Sequence, residues 1–273
     1  MEIELKNPDQ LALMRKAGLV VAAALEATRD AVKPGVSTAE LDELAEEVIR
    51  SHGAVPSFKG YHGFPATICA SVNEQVVHTI PSAKKVLAEG DLISIDCGAI
   101  LDGWHGDAAI TVGVGEIRPE LQEMADAAEK ALWAGIVAAA RGVRSGQGRL
   151  TDISYAIESS IRKAPRRYGI VRGYGGHGIG TQMHQDPHIN NHGRPGRGVS
   201  LVPGMALAIE PMITLGSPRT VELSDGWTVI TIDRLPAAHT EHSIALYDDG
   251  VVVLTAPDGG VSKLSELAHP ILY

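Results

Sequence analysis

Gly90-Asp91-Leu92-Ile93-Ser94-Ile95-Asp96-Cys97-Gly98-Ala99-Ile100-Leu101-Asp102-Gly103-Trp104-His105-Gly106-Asp107 is the stretch from which the rest of the chain can be read. It spells two β-strands joined at Asp102-Gly103, a dipeptide that favours the positive φ values a tight hairpin needs. Asp96 ends the apolar run Leu92-Ile93-Ser94-Ile95, where a lone charge is expensive to bury. Asp107 follows on the return strand, just ahead of Ala108-Ala109-Ile110-Thr111-Val112. No Lys or Arg occurs between Asp91 and Ile117, so a metal cation between the two carboxylates is the economical way to bury both. Taken singly, either Asp fits a turn cap beside Gly.

The chain upstream reads as helices. Asn7-Pro8-Asp9-Gln10 combines an N-cap, Pro at N1 and a capping box, and Leu11, Met14, Gly18, Val21, Leu25, Thr28 and Val32 then recur at helical spacing up to Pro34-Gly35. Ser37 and Glu40 make a second capping box ahead of Leu41, Leu44, Ala45, Val48 and Ile49. Pro56 to Pro65 reads as a loop, and Ala66 to Val72 and Gln75 to Val77 as short strands around Asn73-Glu74. Downstream, Pro119 to Ala140 predicts a helix, Gly142 to Gly148 a linker, and Thr151 the cap of a helix running to about Lys163. Strands are expected at Ile170-Val171, Met205 to Met212, Trp227 to Ile232, Glu241 to Tyr247 and Val251 to Thr255.

The order helix, helix, strands thus occurs twice. Gly90 to Asp96 and Gly204-Met-Ala-Leu-Ala-Ile-Glu210 each place a carboxylate six residues after a Gly, at the end of an apolar strand. The repeat is too long for a solenoid. It points to two related α/β halves of antiparallel strands facing one another, with the helices outside.

At 273 residues the chain can bury a large core, and 44% hydrophobic with 21% charged residues is ordinary for a globular protein. A net charge of −9 argues against general nucleic-acid binding. The one basic cluster, Arg162-Lys163-Ala164-Pro165-Arg166-Arg167, reads as a solvated loop. Two cysteines, Cys69 and Cys97, give no disulfide framework and suit a reducing cytoplasm. The acidic start Met1-Glu2-Ile3-Glu4 and the lack of a long apolar run disfavour secretion and membrane insertion.

The second half adds further donors: Glu210 before Pro211, Glu241 in His239-Thr240-Glu241-His242, and His177 in Gly173-Tyr174-Gly175-Gly176-His177-Gly178-Ile179-Gly180. Asp96, Asp107, Glu210 and Glu241 would repel one another around a single ion and suit two divalent cations with shared carboxylates. An oxygen-dominated set favours Mn²⁺, Fe²⁺ or Co²⁺, with Zn²⁺ left open. A competing zinc site from His184 and His188 has helical spacing, but Pro187 would break that helix. His239 and His242 read as neighbours of Glu241, with strand alternation sending His242 to the opposite face.

His177-Gly-Ile-Gly with His184, Ser94-Ile-Asp96-Cys-Gly with His105-Gly-Asp107, Ile209-Glu210-Pro211-Met212, Thr240-Glu241-His242, and Asn73-Glu74 with His78-Thr-Ile-Pro81 together resemble the type I methionine aminopeptidases, M24-type metallopeptidases. The similarity runs over about residues 3–257. It implies the pita-bread fold, an α/β (α+β) architecture of two pseudo-symmetric halves around a dinuclear metal site. It also implies one catalytic domain over 1–273, with halves of approximately 8–115 and 118–257.

By the same resemblance Asp107 and Glu241 would bridge two metals, Asp96 would complete one site, and His177 with Glu210 the other. Metal-activated water would attack the peptide bond after an initiator Met followed by a small residue. Glu210 would handle the proton of that water, His184 would stabilise the oxyanion, and His78 would bond the scissile amide nitrogen. Tyr61, Phe64, Cys69, Met183 and Trp227 would line the Met pocket. Phe58 and Met183 depart from the best-known bacterial pattern, which has Cys and Phe there.

The implied partners are nascent-chain N-termini, with a transient ribosome contact left open, for a cytoplasmic monomer without specific nucleic-acid or membrane binding. Prolidase-like enzymes of the same fold usually carry an additional N-terminal domain, whereas this chain opens almost directly on the catalytic half. The Gly216 to Gly226 connection is too short for the insertion of type II methionine aminopeptidases. A metal-free binding protein of this fold would have no need to keep five ligands and both histidines.

Overall fold

The computed structural model describes residues 3–270. The hairpin predicted at Asp102-Gly103 is its centre: the strands Leu92–Leu101 and Trp104–Gly113 pair in register from Leu101↔Trp104 to Leu92↔Gly113. Asp102 and Gly103 have φ of 51° and 81°, the left-handed pair that turns a two-residue hairpin with the right twist. A curled nine-stranded antiparallel sheet grows from this hairpin. Its order is Val55–Pro56, Leu92–Leu101, Trp104–Gly113, Glu241–Tyr247, Ala206–Ile209, Gly175–Gly178 and Gln185–Asn190. Ile68–Val72 also pairs with Leu92–Leu101, and Gly250–Val253 with Glu241–Tyr247.

Each half of this sheet is covered by its own helix pair. Helices α1 (Pro8–Ala31) and α2 (Thr38–Ser51) start at the expected capping boxes on Asn7/Gln10 and Ser37/Glu40. They pack Val21, Leu25, Leu41 and Ile49 against Ile68, Ile93 and Ile95. Helices α3 (Pro119–Ser145) and α4 (Leu150–Arg162) pack Met124, Leu132, Ile136, Ile153 and Ile157 against Leu207, Ile209 and Ile244. The two cores repeat one arrangement, which is the pseudo-symmetry anticipated from the chain order. At Gly18, α1 comes so close to the sheet side that a Cβ would lie 2.2 Å from the Leu254 carbonyl oxygen.

Several boundaries differ from expectation. Helix α3 continues to Ser145 through the presumed Gly142 linker, and ends on the left-handed Gly146 (φ 68°). Gly142 is buried there, with Gly148 and Leu201 against the face where a side chain would stand. The cap of α4 is Arg149, whose amide donates to Asp152 at 2.7 Å, while Thr151 lies inside the first turn. The single strand expected from Met205 to Met212 breaks at Glu210-Pro211 into Ala206–Ile209 and Met212–Thr214, which join different sheets. Among the described residues no helix is long and apolar enough to cross a membrane.

Candidate active site

The curled sheet brings five distant residues to one place. Asp96 and Asp107 come from the central hairpin, Glu241 opens the neighbouring strand opposite Ala109, Glu210 follows Ile209, and His177 pairs with Ala208. Asp107, His177, Glu210 and Glu241 are buried. Asp96 keeps partial exposure, but its Oδ1 is fully enclosed. His177 Nε2 lies 3.9 Å from Asp107 Oδ2 and 3.5 Å from Glu210 Oε1. Its Nδ1 is 2.9 Å from the Gly178 carbonyl, which can only accept, so the proton sits on Nδ1 and the Nε2 lone pair faces the carboxylates.

The electrostatics follow from this crowding. Burial, then the neighbouring Asp96 and Glu210 charges, holds the Asp107 carboxyl well above the usual carboxylate range. Burial pushes Asp96 up to about 7. Glu210 and Glu241 are raised by burial and by their acidic neighbours. Among the described residues no Lys or Arg lines the cavity to offset this repulsion, and Asp96 Oδ1, Asp107 Oδ1 and Glu241 Oε1 find no hydrogen-bond partner. Two sets of donors, Asp96/His239/Glu241 and Asp107/His177/Glu241, each place their atoms within 4.8 Å of one another. Buried, unpartnered oxygens with one neutral imidazole in each set are a donor set that fits divalent cations.

Beside the carboxylates lies a cavity of about 110 Å³. Phe58, Tyr61, Phe64, Cys69, Met183 and Trp227 form its apolar side. Phe64 stacks edgewise on Trp227 at 5.1 Å and Phe58 on Phe64 at 6.5 Å. His184 stands where this pocket meets the acidic cluster, its ring 4.4 Å from that of His177 and its Nδ1 2.9 Å from the Tyr61 hydroxyl. His78 also borders the cavity, against Tyr174 at 5.7 Å, with its proton affinity lowered to about 4 by burial and then by His184. Lys6 Nζ donates to Gln185 Oε1 at 3.1 Å, next to His184, while the Lys6 amide ties its own segment to the Gly204 carbonyl at 2.8 Å.

All the residues expected at the site therefore meet around one cavity. His188 does not: it is exposed on the strand Gln185–Asn190 and reaches Asn190, so the helical His184/His188 pair does not form. His242 points away, to Thr255 Oγ1 at 2.8 Å. Cys97 is a core residue, as its apolar surroundings suggested. Phe58 lines the pocket, at a position the family pattern had tied to it. One residue is more involved than the sequence indicated: His239 stands among the carboxylates. Its signal was available, because the alternation that sends His242 away leaves His239 on the face of Glu241.

The sequence model of metallopeptidase family M24 matches residues 12–252. Methionine aminopeptidase 1 of Mycobacterium tuberculosis is 56% identical over 254 residues, covering 92% of this chain and 94% of that protein. Methionine aminopeptidase 1 of Bacillus subtilis is 46% identical, covering 92% and 98%. The crystal structure of methionine aminopeptidase from Rickettsia prowazekii superposes with a TM-score of 0.88 at 39% identity, over 93% of this chain and all of that one. Matching on sequence, fold and chain length, and with its acidic cluster beside an apolar cavity, the chain belongs to metallopeptidase family M24, among the methionine aminopeptidases.

Proposed function

We propose that the protein is a metalloaminopeptidase that removes an N-terminal Met from nascent proteins and peptides when the second residue is small. The observation that carries this reading is the convergence of five metal-type donors at the mouth of an apolar cavity too small for a folded substrate but open to a chain end. Asp96, Asp107, His177, Glu210 and Glu241 would hold two divalent cations, with Asp107 and Glu241 shared. Co²⁺, Mn²⁺, Fe²⁺ and Zn²⁺ are the candidates. When bound, such cations polarise a peptide carbonyl and lower the pKa of water to near neutrality.

The chain's own residues do the rest. Phe58, Tyr61, Phe64, Cys69, Met183 and Trp227 take up the Met side chain, which gains dispersion contact along its length. Glu210, directly after Ile209 on the acidic side of the cavity, is placed to accept the proton of the attacking water and pass it on. With the Tyr61 hydroxyl 2.9 Å from His184 Nδ1, donation from the hydroxyl would leave the ring proton on Nε2, free to donate to the developing oxyanion. His78, held neutral by burial, can bond the scissile amide nitrogen and assist its departure.

Residues 1–273 form one catalytic domain in this reading, working as a cytoplasmic monomer on emerging N-termini. Arg162, Arg167, Arg172 and Arg219 border one open surface groove on an otherwise acidic protein, and offer a transient contact with the ribosome. The test is release of the first residue from Met-Ala-Ser, Met-Lys and Xaa-Pro peptides with each divalent metal. Met-Ala-Ser should be cleaved fastest. Equal kcat/KM for Met-Ala and Met-Lys peptides, or preference for Xaa-Pro, would refute it.

A further inference from the structure

His239 is 2% exposed and its backbone is clamped to the central hairpin. Its amide donates to Ser94 Oγ and Thr111 Oγ1, each at 3.1 Å, and Thr111 Oγ1 donates to its carbonyl at 2.7 Å. Ser94 and Thr111 stand on the strands that carry Asp96 and Asp107, so the clamp fixes the backbone bearing the imidazole relative to those strands. His239 Nε2 lies 3.6 Å from Glu241 Oε2 and 3.7 Å from Glu210 Oε2. Both distances exceed the roughly 2.7–2.9 Å of a charge-assisted hydrogen bond. Nε2 is buried and has no hydrogen-bond partner, a costly state for a polar atom.

A shared ion accounts for the spacing. Donors each about 2.0–2.2 Å from one cation stand roughly 3–4 Å apart. The 3.6 Å between His239 and Glu241 falls in that range, as do the 3.5 and 3.9 Å from His177 to Glu210 and Asp107. Asp96, His239 and Glu241 each offer an atom within 4.8 Å of the others.

We propose that His239 is a metal ligand, holding one divalent cation through Nε2 together with Asp96 and Glu241, opposite the cation held by Asp107, His177 and Glu241. The inference rests on the two-cation reading above and adds to it one imidazole for each cation. A nitrogen donor on the Asp96 side shifts preference from Mn²⁺ towards Co²⁺ and Zn²⁺.

Metal-stripped protein titrated with Co²⁺ alone provides the test. A histidine ring that coordinates Co²⁺ shows its exchangeable ring proton far downfield in the proton NMR spectrum, and burial of His239 slows the exchange of its own. Two such signals are expected at saturation, one missing from His177→Gln and the other from His239→Gln. Calorimetry on His239→Gln should show one of the two Co²⁺ affinities lowered about tenfold or more. One signal only, lost in His177→Gln, with unchanged affinities in His239→Gln, overturns the ligand assignment and leaves two-cation binding standing. Failure of the wild-type protein to bind Co²⁺ overturns both. The signal count is made on the wild type, so it remains decisive if His239→Gln does not fold.

Discussion

Replacing Tyr61 by Phe removes one atom, the phenolic oxygen 2.9 Å from His184 Nδ1, and keeps the ring that lines the pocket. If that hydroxyl holds His184 with its proton on Nε2, the loss appears as weaker support of the oxyanion. A hydrogen bond of this kind is worth about 0.5–1.5 kcal/mol net. His184 is open to solvent, so the lower half of that range applies: roughly 0.5–1 kcal/mol, or about 2- to 5-fold in rate. His184→Ala, which removes the donor itself, should cost about 10²-fold or more. The assay is kcat and KM on Met-Ala-Ser at saturating Mn²⁺ for the wild type, both single variants and the double variant. Tyr61→Phe should lower kcat and leave KM nearly unchanged, because the affected contact forms in the transition state. In the His184→Ala background the same change should cost almost nothing, its partner being gone. An equal loss in both backgrounds would show that Tyr61 acts on the substrate directly and that the His184 contact is irrelevant to the chemistry.

Glu241→Ala should abolish activity and weaken both cations, since Glu241 belongs to both donor sets; near-normal metal content by elemental analysis would contradict a shared ligand. Gly18→Ala places a Cβ 2.2 Å from the Leu254 carbonyl oxygen, a backbone atom that cannot step aside. Overpacking of about 1–3 kcal/mol then lowers Tm by roughly 2–10 °C, and an unchanged calorimetric Tm would disprove so close an approach. His78 has a folded pKa near 4 against the ordinary 6.5, so the unfolded chain binds its proton more readily. Its contribution to stability is complete above 6.5 and is lost as pH falls towards 4. His78→Gln should flatten that part of the Tm–pH curve, and parallel curves for the two proteins would refute the shift.

What could be read from the chain was local. The Asp102-Gly103 turn and the capping boxes at Asn7 and Ser37 act within a few residues, and each formed where its residues predicted. Each of the five expected donors stands in a short local motif, with Gly beside Asp107 and His177 and Pro after Glu210, although Asp96 and Asp107 prove to lie mid-strand. What could not be read depends on partners far along the chain. Gly175–Gly178 shows no apolar alternation, and its strand exists because Ala208 and Leu207 pair with it. Gly142 looks like a helix breaker, yet α3 runs through it, its open face packed closely against Gly148 and Leu201. Alternation around Glu241 puts His239 on the carboxylate face, but its pinning there by Ser94 and Thr111 depends on strands more than a hundred residues away.

The place of the strand Glu241–Tyr247 has a consequence for biosynthesis. It fills the gap between Trp104–Gly113 and Ala206–Ile209, so the strand that joins the two halves of the sheet is made after all the others but Gly250–Val253. While the protein is being translated, the early hairpin can form and pack under its helices, yet its Trp104–Gly113 edge waits unpaired through more than a hundred further codons. Such an edge invites pairing with the wrong strand, and a growing chain has reason to keep it covered. The same order keeps the unfinished enzyme harmless, because a product released before Glu241 lacks the carboxylate common to both donor sets.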